Sequence, residues 1–479
     1  MPQSIYDPGF AAFGGGSTHT VLHPLVIGAI IVVALLTFLL PRKYVIVPLF
    51  LGMMLIPSAQ NLYVAGNHLY VTRILILFGL TRLIWTKISS PGNLIPGGFS
   101  TLDKLFVVWA LYHALAVPLH FMQWGAVPND ISSLWAAIGG YFLFRCLIQN
   151  DEDVLRVLKV LAVVAFVAAA GMIFEQITRQ NMFAFLGGIR AAPEIRNGRI
   201  RSQGMFAHSL LAGSFGAMMF PLFFWVWKRG KSWFFAILGA ASSIVMVFTA
   251  SCSTPLMALM GGGLVLFLWP IRKYMRFLRW GIVIVLAGLQ LVMKAPVWFI
   301  LQHLDLTNGS SGWERANLID NFIRHFSSWW LIGTHDNVNW SYDMWDLANQ
   351  FVAEGVTGGL VCFIAFIAMI VLCFRMIGNA RKAVEGDKRQ EWLFWFFGAA
   401  LFAQVMAYFG ISYYDQTIFV WYSLLVMISV VTLKPSAATA PVPDASPYPV
   451  PVLGVRRPAT AGAGSETRSY APVSKGLPR

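Results

Sequence analysis

Charge is scarce in this chain of 479 residues: Asp, Glu, Lys and Arg make up 12% against 57% hydrophobic residues, and mean hydropathy is +0.65. Soluble domains carry about 25% charged residues, so too little polar surface remains to face water on all sides. Also missing are the short alternating segments of a transmembrane β-barrel. Apolar runs of roughly 20 residues recur instead, and backbone groups in hydrocarbon must pair within their own segment, so these runs are expected to be helices. Cysteine is limited to Cys146, Cys252, Cys362 and Cys373, all in or beside apolar runs and none in a CxxC pair. That argues for buried free thiols and against thiolate metal binding. Residues 1–23 are Gly-rich and lack Lys and Arg, so the basic start of a cleavable signal peptide is not apparent.

Apolar runs near 24–40, 44–57, 69–85, 104–120, 131–148, 154–174, 205–227, 233–250, 255–270, 279–299, 351–374, 391–411 and 416–433 are candidate spans. The expected fold is all-α: a polytopic integral membrane protein with about 12 or 13 transmembrane helices. It would comprise a flexible N-terminus over 1–23, a transmembrane domain over 24–433 and a disordered tail over 434–479, the tail being rich in Pro, Ala and Ser. Every second connection is basic, from Arg42-Lys43 through Lys228-Arg229-Lys231 to Arg375–Arg389. The positive-inside bias then puts those connections and the C-terminus in the cytoplasm, and the segments 175–204 and 300–350 outside.

Segment 175–204 breaks that bias with Arg179, Arg190, Arg196, Arg199 and Arg201 and no lysine. The planar guanidinium fork suits phosphate or carboxylate, which points to an outward anion site; the alternative is a miscounted span that places the loop inside. Segment 300–350 is long for a loop, and long loops are usually functional. Ser311-Gly312-Trp313-Glu314 fits a capping box. Leu318, Ile319, Phe322, Ile323 and Phe326 follow at helical spacing, opposite Arg315, Asp320, Arg324 and His325. This predicts an amphipathic helix over 314–326 on the membrane or over the bundle mouth. Glu314 is explained by the cap, Asp320–Arg324 is an ordinary i,i+4 pair, and His325 fits a solvated surface position. Asn349, Gln350 and Glu354 stand where the next span begins, and ionisable groups at that depth point to function. Asp343 and Asp346 carry only a weak cation signal. Gly355, Gly358 and Gly359 suggest close helix packing.

These residues resemble the O-antigen ligase and polymerase family of bacterial envelope enzymes. The resemblance covers Arg315, Leu331-Ile332-Gly333, Asn349, Glu354-Gly355 and Thr357-Gly358-Gly359-Leu360, together with the earlier Arg201-Ser202-Gln203-Gly204-Met205-Phe206-Ala207-His208. Two features depart from it: Ala348 occupies the place of the family's His, and Thr249–Pro255 lacks the Arg of a Ser-Arg-Gly turn. The resemblance implies one large periplasmic loop between late helices, a location in the bacterial inner membrane and glycosyl transfer from a polyprenyl-diphosphate-linked glycan. The acceptor would be a glycan or lipid, with no metal, cofactor or nucleic acid. Arg315, with one or more of Arg196, Arg199 and Arg201, would stabilise the departing diphosphate. Glu354, His335 or Asp336 would act as base. His208, Arg324, His325, Asn349 and Gln350 complete the expected substrate-binding set, with His335 or His325 as stand-ins for the absent His. Ligase and polymerase remain open, as do a transporter or flippase and a non-catalytic envelope-assembly protein.

Overall fold

The computed structural model describes residues 20–64, 67–89, 94–95, 97–121, 126–230, 232–303, 312–341 and 344–433. The expected tail over 434–479, most of the expected flexible N-terminus, Ser311 of the capping box and Asp343 lie outside them. Each of the thirteen apolar runs is a helix: α1 (Pro24–Leu39), α2 (Arg42–Leu55), α3 (Val71–Ser89), α4 (Thr101–Phe121), α5 (Ala126–Leu147), α6 (Asp151–Thr178), α7 (Ser209–Arg229), α8 (Trp233–Thr249), α9 (Ser253–Phe267) and α10 (Met275–Val292). The short α11 (Gly312–Arg324) and α12 (Phe326–Trp329) fill the long polar segment, before α13 (Gln350–Ala383), α14 (Lys388–Tyr408) and α15 (Thr417–Val431).

Among the described residues, six helices are long and apolar enough to cross a membrane: α4, α6, α7, α10, α13 and α14, the fourth extended back to Trp269. Shorter apolar helices are α1, α8, α9 and α15. An all-α expectation omits two small antiparallel hairpins, β1 (Asn61–Val64) with β2 (Asn67–Tyr70) and β3 (Glu194–Arg196) with β4 (Arg199–Arg201). Residues 20–23 are ordered, since Val21 bridges Asn61 and His23 caps α1.

The core centres on α7, which packs against α6, α8, α9 and α14. Small residues permit the approach: a Cβ on Gly216 would press on the Ser243 carbonyl and Met246, and one on Gly262 on Ala403.

Connections gather at two opposite ends, because their hydrogen bonds stay within one set. At one end Gln60 Nε2 donates to the carbonyls of Leu186 and Gly187, and Gln416 Nε2 to those of Ile56 and Met205. At the other, Arg42 donates to Leu147 O, Arg389 to Lys228 O and Gln149 to Leu94 O. That second end also holds ion pairs that tie helix termini together: Arg229–Asp151, Arg42–Asp153 at 3.4 Å, Arg272–Glu391 at 2.7 Å and the fully buried Arg145–Asp103 at 3.3 Å.

The amphipathic helix in the long segment runs over 312–324 and is rotated from its expected orientation. Leu318 and Phe322 are buried, but Ile323 and Phe326 are exposed, and Phe326 begins α12. The buried face instead takes in Asp320, paired with Arg324 at 2.6 Å and with the Trp298 indole at 3.3 Å. Phe322 stacks on Trp329 at 4.0 Å over Gly355, where a Cβ would strike the Phe322 ring.

Within α13 the helix breaks at Gly359 (φ 67°, ψ −169°). Backbone groups released by a break at membrane depth need partners from the protein itself. The turn after α12 supplies them: Thr334 N donates to Val356 O at 2.7 Å, and Leu360 N donates to Trp330 O at 2.8 Å. Tyr112 Oη on α4 donates to Leu331 O in the same turn. Gly333 (φ 86°) and Gly359 face each other's backbone so closely that a Cβ on either would collide with a carbonyl oxygen, of Val356 and Leu331 respectively. A left-handed residue with a Cβ costs about 1–2 kcal/mol before any clash. Gly333→Ala and Gly359→Ala should each lower Tm in detergent by about 5 °C or more. Gly378→Ala, whose Cβ would meet nothing within 4 Å, should leave it unchanged; a thermal-shift series checks this.

Candidate functional site

At the end opposite the Arg145–Asp103 pair, two chain segments distant in sequence bring arginines together. The first is hairpin β3–β4. Glu175 near the end of α6 turns its Oε2 to accept from Gln203 N at 2.7 Å and Gly204 N at 3.0 Å. Gln176 Nε2 donates to Ile200 O and Thr249 O, and Ser202 N donates to Thr249 O. A carboxylate at the end of an apolar helix thus straps the 200–204 backbone across α6 and α8, leaving Arg201 buried and its partner across the hairpin, Glu194, 3.4 Å away. The second segment is α11, whose first turn carries Arg315. Its guanidinium is within electrostatic reach of Arg196, Arg201, Cys252 and Glu314. Burial draws the Arg315 guanidinium below its ordinary pKa, and Arg196 and Arg201 push the same way. Arg315 Nε is buried with no hydrogen-bond partner among the described residues.

The expected convergence of Arg315 with Arg196 and Arg201 is therefore present. Arg190 also lies close enough to act on His208. Arg199 is exposed at the hairpin tip. His208 is at the cluster, but its Nδ1 accepts from Leu210 N at 3.1 Å and so caps α7, while its Nε2 lies 3.7 Å from Glu194. Burial draws its pKa below the ordinary histidine value, opposed by Glu194. Cys252 stands where the resemblance leads one to expect an arginine turn; burial raises its thiol pKa, and Ser209 Oγ lies 3.6 Å away. Guanidinium groups outnumber carboxylates here, and guanidinium forks can pair with the oxygens of an anion.

The remaining expected site residues lie elsewhere. Arg324 is 70% exposed and paired with Asp320. His325 stacks on Trp340 at 5.0 Å, with Nδ1 2.9 Å from Asn321 O. His335 and Asp336 are exposed at the short 3-10 turn Asp336–Asn339. Asn349 is spent as the cap of α13, accepting from Phe351 N and Val352 N. Ala348, in place of the family's His, is half-buried.

Glu354 and Gln350 are inside the protein, at the wall of a cavity of about 430 Å³ among α4, α5, α13 and α15. Glu354 accepts from the Trp109 indole at 2.6 Å and from Gln350 Nε2 at 2.7 Å. Gln350 Oε1 accepts from Tyr413 N at 2.5 Å, tying α13 to the 409–416 connection.

Sequence reasoning missed several contributors. Glu175 and Arg73 were signalled by charge within apolar runs. Trp109, Asp130, Glu194 and Cys252 carry no local signal, because only the packing of distant helices brings them to a site. The four cysteines are free and buried. Among the described residues no group of three His, Cys, Asp or Glu side chains could hold a metal ion.

No family model matches the chain, and no curated protein is similar to it. Any functional reading therefore rests on the sequence resemblance and this geometry.

Asp415, in the connection before α15, accepts from Ala207 N at 2.9 Å through Oδ2, while Oδ1 is buried without a partner among the described residues. Burial raises its carboxyl from 3.8 to about 6. The folded state then holds this proton where the unfolded chain has lost it, so the contribution favours folding below pH 3.8 and is lost as pH rises to about 6. Asp415→Asn should flatten the dependence of Tm on pH between about 4 and 6, as read by unfolding in detergent across that range.

Proposed function

We propose that this protein is a membrane glycosyltransferase of the O-antigen ligase or polymerase kind, which moves a glycan from a polyprenyl diphosphate to an acceptor. One observation carries this reading: Arg315 lies within electrostatic reach of Arg196 and Arg201 from a distant segment, and its Nε is buried with no partner among the described residues. In the transfer, the acceptor hydroxyl oxygen bonds to the anomeric carbon as the bond from that carbon to the diphosphate breaks. The electron pair leaves with the phosphate oxygen, and preorganised guanidinium groups in a partly dry site stabilise the charge that develops. The hydroxyl proton goes to a carboxylate. Of the three expected bases only Glu354 is enclosed by protein, so it is the group assigned to the acceptor; His335 and Asp336 face solvent.

In this reading the helices of all thirteen apolar runs, the six long ones and the shorter ones packed with them, span the bacterial inner membrane. The arginine end and the long loop face the periplasm, and the C-terminus is cytoplasmic. A topology reporter fused at Asn197 should give a periplasmic signal; a cytoplasmic one removes the anion site from the donor's side.

Arg315→Ala and Arg201→Ala should each reduce glycan transfer by about 100-fold or more, as loss of an oxyanion-stabilising donor does. Arg324→Ala, on the exposed face, should stay within about twofold of wild type. Surface polysaccharide and protein level in a complemented deletion strain provide the measurement, and unchanged polysaccharide at normal protein level defeats the proposal. Accumulated lipid-linked repeats would identify a polymerase, and accumulated full-length lipid-linked polymer a ligase.

A second reading, a transporter, is favoured by the break in α13 near a cavity whose wall carries charged groups. Substrate flux in proteoliposomes without formation of a glycosidic bond would establish it instead.

A further inference from the structure

None of Arg196, Arg201 and Arg315 lines the cavity beside Glu354. At about 430 Å³ it falls within the size range of small-molecule sites. Two kinds of wall meet in it. Trp109, Tyr408, Trp421 and Tyr422 contribute aromatic surface, and Arg73, Asp130, Gln350 and Glu354 contribute polar groups. Two carboxylates stand against one guanidinium, so charged acceptors outnumber charged donors at this wall.

Arg73 is already engaged, donating to His68 O at 3.0 Å and to Ser132 Oγ at 2.6 Å. Asp130 is not: it is 7% exposed, and its buried Oδ2 has no partner among the described residues. Native proteins rarely leave a buried acceptor unsatisfied, so such a group at a cavity wall marks a place for a donor from outside the chain. Glu354 has one donor on each oxygen and capacity for more.

A lipid tail would leave the buried Asp130 Oδ2 without a donor, and an organic cation would have to tolerate Arg73. A pyranose suits both walls, because its C–H face packs on aromatic rings while its rim of hydroxyls donates to carboxylates. We propose that this cavity binds a neutral saccharide, with Asp130 and Glu354 accepting from its hydroxyls and Trp109 lying against its apolar face. The cavity is also lined by Tyr413, in the same connection as Asp415, whose carboxylate holds the Ala207 backbone beside His208. The pocket and the arginine cluster therefore share one structural strap, and the saccharide is the acceptor end of a glycan awaiting transfer. Only that last assignment rests on the glycan-transfer reading; the saccharide site itself rests on the cavity.

The test is saturation-transfer NMR on the full chain in lipid nanodiscs, with maltose, lactose, mannobiose and chitobiose as probes and choline as the cationic control. At least one disaccharide should receive saturation. Asp130→Asn and Trp109→Ala should weaken that binding at least tenfold, and Ala137→Trp, which fills the cavity from α5, should abolish it. Arg315→Ala should bind as wild type does, which also shows that a folded variant retains the pocket. No saturation of any disaccharide, saturation that survives Ala137→Trp, or binding of choline in place of sugar overturns the proposal. Disaccharide binding together with normal surface glycan in Arg315→Ala cells defeats the transfer reading alone. Loss of glycan in those cells without disaccharide binding defeats only the pocket.

Discussion

Backbone groups at membrane depth have no water to bond with, and the break in α13 at Gly359 makes the rest of the site depend on that constraint. The carbonyl of Val356 and the amide of Leu360 find partners only in the turn formed by Trp330, Leu331, Ile332, Gly333 and Thr334. A segment that reads as part of a loop is thereby drawn into the bundle and held there by main-chain bonds. Its position fixes α12, and through the Trp329–Phe322 stack it fixes α11 against Gly355. Arg315 sits on the first turn of α11, so its place beside Arg196 and Arg201 follows from a helix break many residues away.

The second support is Glu175. A carboxylate in an apolar helix is costly unless it is satisfied, and here two consecutive backbone amides engage one of its oxygens. That arrangement clamps the 200–204 strand and leaves Arg201 buried with Glu194 as a counter-charge. The cluster is thus built between two rigid anchorages rather than on a free loop. Guanidinium groups held in this way need little reorganisation when negative charge develops nearby.

Another pocket has the opposite character, aromatic and with two carboxylates against one guanidinium. The 409–416 connection serves both: Tyr413 bonds Gln350 at the pocket and Asp415 bonds Ala207 at the cluster. On the proposed reading, an anion site and a hydroxyl-accepting site joined by one short strap would be the two halves that a transfer between a charged donor and a neutral acceptor requires.

The helical bundle was legible because hydrocarbon tolerates few solutions. Scarce charge and recurrent long apolar runs leave helices as the only segments that satisfy their own backbone, and every such run is a helix. The arginines of 175–204 were legible too, as an arginine run outside the basic alternation, and Arg315 as a charge with no partner at helical spacing in its own helix. The pairing of Asp320 with Arg324 followed from spacing alone. Spacing could not tell which face of α11 is buried, because its partner, the Gly355 surface, is supplied by another helix. Nor could it show that Gly359 breaks a helix rather than easing its packing, since that depends on a turn that reaches the same depth from outside α13. Trp109, Arg73 and Asp130 carry no joint signature, being scattered over helices whose contact is purely tertiary. Local composition, acting through the cost of unpaired backbone in lipid, determined the class of fold; only the packing of distant segments decided which polar groups face one another.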